Sequence, residues 1–90
     1  MKKKFVATIS GYVQGVGYRY FAQKEAQKLS LAGYVKNIYS GKVEVLAEGE
    51  EASLDKFKEK LIQGPFGSNV VHYEFEDQPF VGEYKSFEIN

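Results

Sequence analysis

Apolar residues recur at every second position in residues 3–10, where Phe5, Ala7 and Ile9 alternate with polar or smaller neighbours. This is the period of a strand with one buried face. Across residues 18–31 the spacing changes: Tyr18, Phe21, Ala22, Ala26 and Leu29 fall on one side, with Gln23, Lys24, Gln27 and Lys28 opposite. That pattern predicts an amphipathic helix, and Gly33 beyond it is expected to close the last turn in a left-handed conformation. Residues 34–39 and 42–48 read as two strands around Ser40-Gly41, with Val43, Val45 and Ala47 on the apolar side of the second. Residues 50–63 carry Leu54, Phe57, Leu61 and Ile62 at helical spacing, acids early and lysines late, and stop at Gly64-Pro65. Val71, Tyr73 and Phe75 then alternate with His72, Glu74 and Glu76, and Phe87 and Ile89 mark a short closing strand.

The order strand, helix, strand, strand, helix, strand predicts an α+β, ferredoxin-like split βαβ sandwich (βαββαβ). Right-handed crossovers put both helices on one face of an antiparallel sheet, and the other face is expected to meet solvent. Residues 1–90 form one expected domain, without linker, low-complexity segment or further repeat.

Composition then removes whole classes of chemistry. The chain has no cysteine, which excludes disulfides, thiol nucleophiles and Cys-ligated metals. Met1-Lys2-Lys3-Lys4 begins like a signal peptide, but FVATISG is too short and polar for its apolar segment, so the cytoplasm is the expected compartment. Twelve basic residues balance twelve acidic ones, so no bulk field draws nucleic acid or anionic lipid to the chain. An anion recognised here must be held locally.

The stretch VQGVGYRYF, residues 13–21, offers one place to hold it. Its amides precede a helix N-terminus, which favours anions. Gly11, Gly15 and Gly17 allow successive N–H groups to converge as a nest. Arg19 in the first helical turn opposes the helix dipole at a cost of about 0.3–1 kcal/mol, which a bound dianion would offset. Spacing alone does not separate this reading from a plain turn with a solvated arginine. No third glycine completes GxGxxG, and no Gly-Lys-Ser/Thr marks a nucleotide loop. Asn37 is unusual within a strand; it reads either as an early turn residue or as an amide brought near the loop, able to orient water as both donor and acceptor. His72, the one histidine, reads as a surface strand residue beside Glu74 and Glu76, and no metal cluster is visible. Tyr18 and Tyr20 read as packing residues.

With these residues in view, ISGYVQGVGYR (residues 9–19) and GYVKNIYSGKVEVLAEG (residues 33–49) resemble the two signature segments of the acylphosphatase family. Gly11, Val13-Gln14-Gly15-Val16, Arg19, Gly33, Lys36-Asn37, Gly41, Val43 and Gly49 fall at the family spacing, and the similarity spans essentially the whole chain. Tyr18 stands where Phe is more usual, and Gly64-Pro65-Phe66-Gly67 replaces a commoner Gly-Pro-Pro start to that loop. The resemblance implies hydrolysis of the carboxyl–phosphate bond of acyl phosphates. It implies catalytic Arg19 and Asn37, Arg19 binding phosphate and Asn37 positioning water. A phosphate-binding loop of Gly15, Val16, Gly17, Tyr18 and Arg19 follows, with no metal and no organic cofactor. The expected partners are a small-molecule acyl phosphate and the inorganic phosphate product, with no nucleic acid, no membrane and a monomeric chain. Acylphosphatase-like modules also occur in larger enzymes that handle carbamoyl phosphate; with the chain stopping at Asn90, a standalone hydrolase is expected. An RNA-recognition module of the same fold would carry stacking aromatics on its third strand, where this chain reads KVEVLAE.

Overall fold

The computed structural model describes residues 1–90. Each predicted period becomes an element: β1 (Lys2–Tyr12), α1 (Tyr18–Lys28), β2 (Ala32–Asn37), β3 (Val43–Glu50), α2 (Glu51–Gln63), β4 (Asn69–Gln78) and β5 (Phe87–Ile89), with a short 3₁₀ turn at Tyr39–Gly41. The sheet order is β4-β1-β3-β2-β5. Strands β1 and β2 run parallel with β3 between them, and β3 and β4 run parallel with β1 between them, each pair joined by a helix. Both helices pack on the face bearing Phe5, Ala7, Ile9, Val43, Val45 and Ala47. From α1 the buried side chains are Tyr18, Ala22 and Ala26; from α2 they are Leu54, Phe57 and Leu61. Each large apolar side chain so enclosed contributes about 1.5–3 kcal/mol. No helix is long and apolar enough to cross a membrane.

Four expectations are corrected. The sheet is not wholly antiparallel, because β5 pairs in parallel with β2. Residues 79–86 cross the sheet from its β4 edge to its β2 edge, and Phe87 then enters the core against Phe57, ring centroids 5.7 Å apart. The same strap covers part of the outer face that was expected to meet solvent. Glu48, only 2% exposed, accepts the N–H groups of Gly82 (3.1 Å) and Tyr84 (3.3 Å) there, and Lys4 pairs with Glu83 at 3.8 Å.

Gly33 does not close α1. The helix ends at Lys28, and Ser30 (φ 58°) is the left-handed residue, with Leu31 N–H donating to the Ala26 carbonyl and Ser30 N–H to that of Gln27. Gly33 lies inside β2, where a Cβ would overlap the Leu46 carbonyl oxygen, so glycine is demanded by close strand approach. Along β4, a register shift opposite Ser10 and Gly11 leaves Val71 exposed and turns Val70 toward the core. One extra residue breaks the period of two.

Candidate active site

Between β1 and α1 the chain turns on two left-handed glycines, Gly15 and Gly17, each with φ 77°. Gly17 caps α1 with no side-chain hydrogen bond, and the first turn contains no acidic residue. The first bond of the helix is Phe21 N–H to the Gly17 carbonyl at 2.9 Å; the amides of residues 15–20 donate to no acceptor within the chain. A row of free donors at the positive end of a helix dipole suits an anion.

Two buried side chains hold this loop still. Val13 and Tyr18 are both about 1% exposed, and Val16 packs against the core between them. The Tyr18 ring therefore faces inward while its amide stays in the loop. Burial raises the phenol of Tyr18 well above the ordinary tyrosine range, so it is neutral at physiological pH. This agrees with the packing role expected for Tyr18.

Arg19 follows in the first turn of α1, half-buried, and forms no ion pair with an Asp or Glu side chain. Its guanidinium donates to the backbone oxygen of Asn90 at 3.1 Å. Asn90 N–H in turn donates to the Val35 carbonyl of β2 at 2.9 Å, so the arginine is drawn toward the strand that carries Asn37. Asn37 closes β2 opposite Val43 and is exposed.

These pieces meet in one cleft of about 210 Å³, walled by Gly15, Gly17, Tyr18, Arg19 and Asn37 together with Val13, Tyr20 and Ile89. Of the loop residues expected from the sequence, Val16 alone is absent from the wall. Tyr20 and Ile89 were not anticipated there. Tyr20 is 61% exposed with the Lys24 ammonium over its ring, not packed in the core; it sits two residues after Tyr18 and so projects from a different side of the helix. Ile89 reaches the cleft through the β2–β5 pairing, which no local pattern marks. His72 lies elsewhere, exposed on β4 and 3.2 Å from Glu74. No group of three His, Asp or Glu side chains is arranged to hold a metal ion.

A free helix N-terminus, an arginine with no acidic side chain beside it and a strand-borne amide, all on a ferredoxin-like frame, define a small α+β domain whose cleft suits an oxyanion. The sequence profile of the acylphosphatase family matches residues 5–89. The acylphosphatase of Acaryochloris marina is 46% identical over 83 residues, covering 92% of this chain and 88% of that protein. The crystal structure of the Bacillus subtilis acylphosphatase superposes with a TM-score of 0.94 at 40% identity, covering 100% of this chain and 99% of that one. Full-length HypF in its phosphate- and nucleotide-bound form matches with a TM-score of 0.87 at 35% identity, all of this chain lying on 12% of that one. The chain belongs to the acylphosphatase family and is a hydrolase of that family.

Proposed function

We propose that residues 1–90 act as one catalytic domain that hydrolyses acyl phosphates to a carboxylate and inorganic phosphate, with Arg19 holding the phosphoryl group and Asn37 positioning the attacking water. The observation that carries this is the shared cleft: unbonded loop amides, an arginine paired with no Asp or Glu side chain and the Asn37 amide all line it. The N–H groups of residues 15–19 and the Arg19 fork contact the phosphoryl oxygens. Arginine suits this place because its planar guanidinium meets two oxygens at once and keeps its charge near neutral pH.

The Asn37 side-chain oxygen accepts a hydrogen bond from the water and holds the water oxygen in line with the acyl oxygen that departs. The new P–O bond forms as the P–O(acyl) bond breaks, and the water proton passes to a phosphate oxygen. The leaving carboxylate has a conjugate acid with a pKa of about 4–4.5, so it needs no general acid. Phosphoryl transfer through a loose transition state depends on positioning and charge stabilisation, which the cleft residues supply without a metal. The acyl group lies toward the apolar wall of Tyr20 and Ile89.

On this reading the protein works as a cytoplasmic monomer on small molecules. The outer sheet face favours small molecules over RNA, since Glu74 and Glu76 make its β4 edge acidic and Lys36 on β2 is paired with Glu44 of β3 at 3.7 Å. The test is hydrolysis of benzoyl phosphate by the purified protein in excess EDTA. Turnover that survives chelation and is competitively inhibited by inorganic phosphate is expected. Loss of turnover to EDTA would overturn the metal-free mechanism, and no turnover in any buffer would overturn the enzyme reading.

A further inference from the structure

Gln14 sits directly before Gly15, yet its side chain turns away from the cleft. Its Nε2 donates to the carbonyl of Ile38 at 3.1 Å and to that of Lys42 at 2.9 Å. Those two carbonyls flank the β2–β3 turn, which is itself closed by Ile38 N–H donating to the Lys42 carbonyl at 2.8 Å. A single nitrogen with two hydrogens thus ties the start of the cradle to the residue immediately after Asn37. The Asn37 side chain makes no hydrogen bond of its own within the chain, so its place relative to Arg19 is set by the backbone at the end of β2. A direct hydrogen-bonded link from that backbone to the cradle runs through the Gln14 amide.

We propose that Gln14 is a positioning residue for the reaction: its carboxamide staples the Asn37-bearing strand end to the phosphate cradle and so sets the approach of the water to phosphorus. This rests on the reading of Asn37 given above. The donor chemistry is specific. Two convergent carbonyl oxygens require a group with two N–H bonds and no negative charge; a carboxylate there would oppose both, and a thioether would satisfy neither. Because Gln14 neither lines the cleft nor contributes to its charge, its loss acts on water alignment and leaves phosphate binding alone. A displacement of about 1 Å between reacting groups can lower a rate on the order of 10²-fold.

The test compares Gln14→Met, of similar shape without donors, and Gln14→Glu, of the same shape with acceptors only, in benzoyl phosphate hydrolysis with inorganic phosphate as the inhibitor. Each is expected to lower kcat by about 10- to 100-fold while the phosphate inhibition constant stays within about twofold of wild type. Either variant suffices if the other does not fold. In an Asn37→Ala background the same substitutions are expected to add less than about threefold, since residues acting through one another are not additive. A folded Gln14 variant with wild-type kcat, a parallel loss of phosphate affinity, or a full additional loss in the Asn37→Ala background would each overturn the proposal. Asn37→Ala with wild-type turnover would instead overturn the reading of Asn37 itself, so the two failures are distinguishable.

Discussion

The hydroxyl of Tyr18 donates to the carbonyl oxygen of Leu61 at 2.5 Å, joining the first turn of α1 to the last turn of α2. Helical continuation would assign that carbonyl to the N–H of residue 65, but residue 65 is proline and has none. The phenol therefore caps α2 and, in the same stroke, anchors the cradle beneath Arg19. Tyr18→Phe leaves the carbonyl buried without a partner and is expected to cost about 1–3 kcal/mol of stability. Burial also raises the folded-state pKa of this phenol above that of the unfolded chain, so its contribution is complete below about pH 10 and declines as pH rises beyond it, where only the unfolded chain ionises. Urea unfolding at neutral pH and above pH 10 checks both parts: wild type should lose more stability on alkalinisation than Tyr18→Phe does.

Arg19→Ala removes the one cation of the cleft and is expected to lower kcat/KM by on the order of 10³-fold or more. Arg19 opposes the dipole of its own helix, so the same substitution should leave unfolding stability nearly unchanged or slightly raised. Inhibition by inorganic phosphate should weaken in step with catalysis. Arg19→Lys keeps the charge without the fork and should fall between the two. Steady-state kinetics with phosphate as inhibitor, beside a denaturant titration, separates a site effect from a folding effect.

Asn37→Ala should divide the kinetic constants differently. A residue that aligns water contributes in the transition state and little to ground-state phosphate binding. The expected result is a loss in kcat of about 10²- to 10³-fold with the phosphate inhibition constant close to wild type. Retained turnover in a folded Asn37→Ala protein would contradict the role given to this amide.

How much of this could be seen in the sequence depends on the range of the interaction concerned. The period of two in β1 and the helical spacing of Leu54, Phe57 and Leu61 are local, and they appear in the structure as read. Gly15, Gly17 and Arg19 were legible as one unit because they are neighbours in the chain. Apart from its place in the GYVKNIYSG segment, Asn37 stood out locally only as an asparagine in a strand, and its presence at the cleft depends on β2 lying parallel to β1. Tyr20 was misjudged as a packing residue, for the apolar count of an aromatic does not tell which side of the helix it leaves from. Ile89 carried no signal, because its place depends on the strap of residues 79–86 returning β5 beside β2. Gln14 was visible only as part of the VQGVG motif, since its two acceptors lie 24 and 28 residues away.

The strap itself yields the last prediction. Glu48 is enclosed on the outer face, directly opposite Lys4 in register, and its two carboxylate oxygens accept the amides of Gly82 and Tyr84. Hydrogen bonds to an ionised acceptor are among the stronger ones, and here they secure a segment with few other polar ties to the sheet. Glu48→Ala frees both amides and leaves Lys4 facing an apolar side chain, so a stability loss of about 3–6 kcal/mol is expected from two such bonds. Val43, at the cleft end of β3, lies five residues from Glu48, roughly 16 Å at strand spacing, and Glu48 faces the side of the sheet away from the helices. Turnover of the folded variant should therefore match wild type while cleavage by a nonspecific protease within residues 79–86 accelerates. Release of the strap also slackens Phe87 and the β5 end that receives the Arg19 hydrogen bond. A fall in kcat/KM that appears only at temperatures where proteolysis shows the strap open would demonstrate that coupling, whereas an equal fall at low temperature in a protease-resistant variant would count against the separation of strap and site.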